Sequence, residues 1–192
     1  MMEETDLIAA LKKNDESAFK TLVLHFQDRV YSTSLSILQN EGDAEDLSQE
    51  VFIEVFHGIK NFKGDAALAT WLYRITVNKC FDFLRKKSRK KRFAVITNLF
   101  SAEGNDPVRD VPFFNHPGVL MENKERAAIL FGAINLLPDQ QRIAFTLHKV
   151  EGLSHQEISD IMSTTVSSVE SLVHRAKQNL RKQLEEFYEK EI

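Results

Sequence analysis

Seven of the eight positions from Arg85 to Arg92 are lysine or arginine, in the stretch FLRKKSRKKR. Cations at that density surround a helix instead of striping it. The chemistry they offer is neutralisation of phosphate, without information about base sequence. Taken alone, such a run more often marks a solvated or disordered segment. Here it follows TWLYRITVNKCFDF, where Trp71, Tyr73, Phe81 and Phe83 stand among Arg74, Lys79 and Arg85. Aromatic faces mixed with cations suit unstacked bases as well as phosphates. Phe81 serves equally well as core, and Trp71 reads better as core.

A second constellation lies near the C-terminal end. Counting 100° per residue from Val166, the residues Val166, Val169, Leu172, Val173, Ala176 and Leu180 share one arc, which predicts a buried face. Ser167, Ser171, His174, Arg175 and Gln178 share another. Small hydroxyls permit close approach to a major groove, arginine can fork onto guanine, and glutamine can pair with adenine. A wheel of this kind also describes any amphipathic surface helix. The neighbouring residues shift the balance: Ser154 and Glu157 have the spacing of a capping box that opens a short helix. Only Ser163, Thr164 and Thr165 then separate that helix from the next, the spacing of a helix-turn-helix.

The third constellation is acidic. In DAEDLSQEVFIEVFHGI, Asp46, Gln49, Glu50, Ile53, Glu54 and His57 fall on one arc around Asp43, opposite Leu47, Val51, Phe52, Val55, Phe56 and Ile59. An aliphatic residue ringed by carboxylates makes a protein-contact patch, though a single exposed isoleucine is also ordinary. No convergent group accompanies the carboxylates, so acid–base catalysis is not the reading.

These residues must be positioned by helices. Seven glycines and four prolines in 192 residues leave little room for hairpins, and apolar residues recur at spacings of three and four. The expected elements are a short helix capped by Thr5 and a long one from about Ser17 to Leu38. A third, capped by Asp43, runs to about His57, and a fourth runs from about Ala67 into the basic run. NFKGD, at 61–65, is a turn. In the second half, helices are expected from Glu122 to Leu136, from Pro138 to Gly152, from Ser154, and from Val166 onward. Between the halves, positions 93–121 contain Pro107, Pro112 and Pro117 with Gly104 and Gly118, and the basic charge vanishes; this reads as a linker. The fold class is all-α: two small helical domains on a flexible linker, the second a helix-turn-helix.

Charge is segregated along this plan. Residues 1–60 carry −7, residues 61–92 carry +8, residues 93–123 carry −3 and residues 124–192 carry −1, so the overall −3 conceals a local cationic face. Sign reversal within one domain predicts two partners of opposite charge, one of them nucleic acid. No long apolar run suggests a membrane span, and the acidic N-terminus is unlike a secretory signal. The lone Cys80 excludes an internal disulfide and fits a reducing compartment. A cytoplasmic location is expected. Among other function classes, a stand-alone DNA-binding regulator would have no need of the acidic helix with Ile53. An enzyme acting on nucleic acid would need a phosphate loop, a zinc set or a nucleophile motif, none of which is present.

Taken in order, the three stretches resemble the bacterial RNA polymerase sigma factors of the extracytoplasmic-function type, over nearly the whole chain. DAEDLSQEVFIEVF is similar to that family's polymerase-binding helix. FKGDAALATWLYRITVNKCFDFLRKKSR resembles its promoter-melting segment, and LPDQQRIAFTLHKVEGLSHQEISDIMSTTVSSVESLVHRAKQNLRKQL its upstream-element reader. The resemblance implies a sigma domain 2 over 1–92, a linker over 93–121 and a sigma domain 4 over 122–192. It implies no catalysis and no cofactor.

Residue by residue, it implies that Asp43, Asp46, Gln49, Glu50, Ile53 and Glu54 dock on the clamp helices of the polymerase β′ subunit, with the β subunit as a further contact. Asn61, Phe62, Lys63 and Gly64 would capture a base flipped from the minus-ten element, a step that costs a few kcal/mol of stacking. Arg74, Arg85, Lys86, Lys87, Arg89 and Lys90 would hold the melting strand. Ser167, Ser168, Ser171, His174, Arg175 and Gln178 would read the minus-35 element. Asn78, Asp82 and Arg85 match family positions too, but their spacing equally describes a structural polar ladder. The implied partners are core polymerase, promoter DNA and an anti-sigma factor, commonly membrane-anchored, with a monomeric free chain. The implied regulon answers a stress or envelope signal. Leu68, Ser159, Ser163, Ser168 and Glu170 depart from the commonest family pattern, so no promoter sequence follows, and Ser163 would be strained if its turn needs positive φ.

Overall fold

The computed structural model describes residues 3–100 and 124–190, with side chains described over 3–90 and 127–185. Among these, the regular elements are helical. They are α1 (Glu4–Lys12), α2 (Glu16–Leu38), α3 (Glu41–Gly58), α4 (Leu68–Phe100), α5 (Lys124–Asn135), α6 (Asp139–Lys149), α7 (His155–Met162) and α8 (Val166–Lys190), with a 3-10 turn at Ile59–Asn61.

The starts of the helices follow from local chemistry, and several differ from the sequence expectation. Helix α1 begins after Glu3 with no side-chain cap, and Thr5 lies inside its first turn. Asp15 caps α2, its carboxylate accepting from the Ser17 and Ala18 amides at 2.8 and 3.0 Å. Those bonds, the Ala18 amide first, hold the Asp15 carboxyl below its usual range. Helix α3 starts before Asp43: Asn40 is the cap, and its side chain accepts from the Asp43 amide at 2.8 Å. Pro138 sits at the N-cap of α6, one position earlier than expected. That helix stops at Lys149, leaving Gly152 in the following turn at φ +72°. The Leu68 amide opening α4 donates to the Glu4 carboxylate at 3.0 Å, so α1 supplies a cap across 64 positions.

Two expectations about extent also change. Helix α4 continues to Phe100, past the boundary expected at 93. FAVITNLF contains no proline or glycine, and the first breaker, Gly104, comes only later. The rest of the expected linker, and Glu122, lie outside the described residues. Phe56, expected on the buried arc of α3, is 41% exposed at its edge, where it meets Phe19 edge-on at 5.2 Å.

Helices α1–α4 pack around Leu22, Phe26, Val30, Leu47, Val51, Val55, Leu72 and Val77. The same apolar cluster continues into Ile143, Leu147, Ile158, Val169 and Val173 of α6–α8, so the two helical sets lie closed against each other. Helix α2 packs on α6, and α4 on α7. That explains the end of α2, where Thr33 through Gln39 are all buried: one flank meets α3 and α4, the other α6. A smaller cluster of Phe131, Ala133, Ile134, Leu137, Ala176 and Leu180 joins α5 to α8. Among the described residues no helix is long and apolar enough to cross a membrane, and no group of three histidine, cysteine or carboxylate side chains is placed to hold a metal ion.

Candidate nucleic-acid and protein-docking interfaces

The acidic face is carried on α3 and points outward. Asp46, Gln49, Glu50, Ile53 and Glu54 are exposed, Ile53 by 58%, and Asp43 is half-buried. Cations from α4 reach this face. The Lys79 ammonium lies 3.5 Å from both Glu50 and Glu54, and that of Lys87 lies 3.4 Å from Asp43. Surface pairs of this kind are worth between zero and about 1 kcal/mol, so a stronger partner can displace them. Lys87, expected on the phosphate side, is therefore turned toward α3 and lies 5.6 Å from the Phe83 ring centre. Arg85, Lys86, Arg89 and Lys90 are exposed, and Arg85 stands 3.9 Å from Asp82 on its own helix. The second contact favours the polar-ladder reading of Asp82 and Arg85.

The turn after α3 separates its residues by role. Asn61, Lys63 and Gly64 are exposed, and Gly64 takes φ +81°, which glycine adopts without a Cβ penalty. Phe62 is only 6% exposed and packs against Trp71 at 5.0 Å between ring centres. It anchors the turn from below while its three neighbours line the outside. Gly58 belongs to the same arrangement: a Cβ there would stand 3.3 Å from the Trp71 ring.

The helix-turn-helix is built by α7 and α8. Ser154 and Glu157 form the capping box. The Ser154 amide donates to the Glu157 carboxylate at 2.8 Å, and the Glu157 amide donates to the Ser154 hydroxyl at 3.2 Å. Bonds from Ser154, its side chain first, hold the Glu157 carboxyl below its usual range. Ser163 closes α7 at φ +51°, so a non-glycine residue occupies the left-handed region. Ser159 is buried with its hydroxyl donating to the Gln156 carbonyl at 2.7 Å, which satisfies the polar atom where the family has alanine.

On α8, Val169, Val173, Ala176 and Leu180 are buried, while Ser167, Ser168, Ser171, His174, Arg175 and Gln178 are exposed. The Thr165 hydroxyl accepts from the Ser168 amide at 3.2 Å and meets the Ser168 hydroxyl at 2.8 Å, so Ser168 also serves the helix start. Asn179 donates to Gln141 of α6 at 2.8 Å, and His155 of α7 lies 3.8 Å from Glu170. These contacts fix α8 in azimuth against the two helices that support it.

Sequence reasoning missed the contacts between the halves. Arg74, expected to hold nucleic acid, donates from Nε to the Asp160 carbonyl of α7 at 2.7 Å. The Tyr73 hydroxyl donates to Glu151 at 3.3 Å. Burial, then the Glu151 charge, pushes the Tyr73 hydroxyl up to about 12, so it stays protonated. Burial also raises the Glu151 carboxyl, against the opposing influence of Thr33, Tyr73 and Arg29. Thr33 lies beside this pair, yet its hydroxyl meets neither group in hydrogen-bond geometry. Arg142 is buried in α6. Its guanidinium donates to the carbonyls of Asn135 at 2.6 Å, Leu137 at 3.4 Å and, across the seam, Ile37 of α2 at 3.5 Å. Burial lowers its proton affinity, and the Asp139 carboxylate at 4.0 Å opposes that. Cys80 is buried, which pushes its thiol up to about 12, as expected of an inert core cysteine.

Similarity to known proteins agrees with this layout. Sigma-70 region 2 matches residues 22–90 and Sigma-70, region 4, matches residues 127–180. The ECF RNA polymerase sigma-E factor of Escherichia coli (strain K12) is 34% identical over 172 residues, which cover 90% of this chain and 89% of the relative. The RNA polymerase sigma-H factor of Pseudomonas aeruginosa is 30% identical over 185 residues, covering 95% and 94%. Two solved structures share the fold. CnrH in complex with the cytosolic domain of CnrY has a TM-score of 0.66 at 21% identity, covering 95% of this chain and 97% of that one. The sigma factor RpoE in complex with the anti-sigma factor NepR from Bartonella quintana has a TM-score of 0.64 at 22% identity, covering 87% and 96%.

Proposed function

The chain belongs to the ECF RNA polymerase sigma factors, and from that membership we propose how its surfaces divide the work. As a sigma factor it confers promoter specificity on RNA polymerase and drives transcription initiation. It is a transcription regulator, and the bond-making chemistry belongs to the polymerase, not to this chain.

Helix α3 docks on the polymerase β′ clamp helices through Ile53, ringed by Asp43, Asp46, Gln49, Glu50 and Glu54. Asn61, Lys63 and Gly64, on the turn that Phe62 anchors, receive a base flipped from the minus-ten element. Arg74, Arg85, Lys86, Arg89 and Lys90 of α4 hold the melting strand, and Lys87 joins them once released from Asp43. Ser167, Ser168, Ser171, His174, Arg175 and Gln178 of α8 read the minus-35 element. In this division residues 1–92 act as domain 2, residues 122–192 as domain 4, and 93–121 as the connection, although α4 carries helix into the last. The chain works where the polymerase does, in the cytoplasm, and its regulon answers a stress or envelope signal. An anti-sigma factor is the expected partner of the silent form, a reading supported by the Bartonella quintana sigma factor RpoE, which shares this fold and was solved with the anti-sigma factor NepR.

One observation carries the reading. A single chain exposes an aliphatic residue amid carboxylates on α3 and a small-hydroxyl and guanidinium face on α8, each backed by fully buried valines and leucines. The test is run-off transcription with core polymerase free of other sigma factors, on a library of genomic fragments. Discrete start sites that depend on this chain are expected. Their absence across templates and salts, with specific duplex binding retained, would reassign it as a stand-alone regulator.

A further inference from the structure

We propose that Glu4 is a positioning residue for the base-capture turn. From α1 it fixes the start of α4, and through α4 the angle at which Asn61, Lys63 and Gly64 meet an unstacked base. This rests on the functional reading above. The sequence leaves α4 without a cap of its own. Its first intrahelical bond runs from the Trp71 amide to the Ala67 carbonyl at 3.1 Å, so Ala67 stands at the N-cap with only a methyl group to offer. The first turn of α4 holds no acidic residue. The opening amides of a helix lack intrahelical partners and carry its positive end. The Glu4 carboxylate answers both needs, accepting from the Leu68 amide at 3.0 Å across 64 positions.

Helix α1 is placed to serve the whole turn. Leu11 is buried, and Leu7, Ile8 and Ala10 pack against the same apolar cluster, which seats α1 firmly. The helix also packs on the 3-10 turn at Ile59–Asn61. One short helix therefore holds both ends of the segment from 59 to 68, the first by packing and the second by the Glu4 bond. Inside that segment Phe62 packs on Trp71 at 5.0 Å, and Trp71 lies one position past the first turn that Glu4 caps. Gly64, at φ +81°, leaves the backbone of the turn permissive, so its anchored ends set its direction. The Leu68 side chain is 1% exposed, which ties the capped amide to the core. Losing the Glu4 carboxylate loosens the start of α4 and leaves every residue that would touch DNA in place.

Two measurements on the full chain test this. Trp71 is the one tryptophan, so its fluorescence reports the start of α4. Glu4→Ala is expected to raise acrylamide quenching of Trp71. Glu4→Gln keeps an acceptor oxygen and should stay near the parent. Asp6→Ala removes the same charge from the same first turn of α1 and should change nothing. The second measurement is initiation with core polymerase on a promoter fragment that the parent uses. The fragment is offered as closed duplex and with mismatches that open the minus-ten stretch in advance. On closed duplex Glu4→Ala should lower initiation by about threefold to tenfold, the scale of one lost helix cap, with Glu4→Gln restoring most of it. On the opened template the deficit should shrink below about twofold, because the base is already unstacked. Circular dichroism checks that the helices are kept; if Glu4→Ala loses them, Glu4→Asp, one carbon shorter in reach, carries both measurements. A parent-like Glu4→Ala in either measurement would overturn the role of Glu4 and leave the sigma-factor reading intact. So would an equal deficit on both templates, or the same deficit in Asp6→Ala. A parent that starts no transcript on any template would overturn the functional reading, and this role with it.

Discussion

The hydroxyl of Tyr73 on α4 donates to the carboxylate of Glu151, in the turn after α6, at 3.3 Å, joining residues 78 positions apart. Burial of that carboxylate raises its proton affinity, so the folded value lies above the ordinary 4.5. A raised carboxyl favours the folded chain while it is protonated, and that advantage is lost as pH rises through the folded value. Above it, the folded chain carries a desolvated charge that the unfolded chain does not. Glu151→Gln removes the charge and keeps an acceptor for Tyr73. The variant should therefore have the higher urea midpoint at neutral pH. The difference should shrink as pH falls through the raised value toward 4.5 and vanish below it. A difference independent of pH would show that Glu151 is not desolvated in the folded chain.

The turn of the helix-turn-helix offers a second test. Ser163 holds φ +51° with its amide donating to the Ser159 carbonyl. Left-handed backbone costs an L-residue about 1–2 kcal/mol, whereas glycine takes it freely and loses about 0.5–1 kcal/mol through its freer unfolded chain. Ser163→Gly is expected to raise stability by about 0.5–1 kcal/mol, read as a higher thermal midpoint. A fall in the midpoint would mean that the serine contributes more than strain.

What could be read from the sequence was local. The Ser154–Glu157 box, the two faces of α8 and the outward Ile53 each depend on residues within one or two helical turns, and each appears where the pattern puts it. What stayed illegible is what a distant neighbour decides. Phe62 looks like a loop residue until Trp71 is brought under it, and the bond from Arg74 to the Asp160 carbonyl of α7 leaves no trace in the local pattern. Arg142 reaches Ile37 across 105 positions. Nothing in the spacing of a single chain encodes such a pairing. In the structure the end of α2 is uniformly buried, with Ser34, Ser36 and Gln39 enclosed among apolar residues, which marks the second packing partner that local spacing does not show.

Ile53 separates polymerase docking from DNA reading. It is 58% exposed at the centre of the acidic face, and Val51 and Val55 behind it are fully buried, so a change at 53 leaves the core of α3 intact. Ile53→Glu removes the apolar centre and adds a like charge among Glu50 and Glu54. Core-polymerase binding measured by pull-down should be abolished, while duplex binding by the same protein and its thermal midpoint should be unchanged. Retained core affinity would move the docking surface off α3.

Arg175 decides whether α8 reads bases or only follows the backbone. Its side chain is exposed on the face that also carries Ser171 and Gln178, one side of a groove facing Phe81. A guanidinium that forks onto a base edge is worth about 1–3 kcal/mol of discrimination. Arg175→Ala should therefore weaken binding to the cognate upstream element by about tenfold to a hundredfold while barely changing affinity for unrelated duplex. A guanidinium that meets phosphate behaves differently: affinity falls alike on every sequence, and the slope of log affinity against log salt drops by about one. Measuring the variant on matched and scrambled duplexes across a salt series separates these outcomes. An equal loss on both duplexes would leave specificity to His174, Gln178 and the serines, with Arg175 as a backbone anchor.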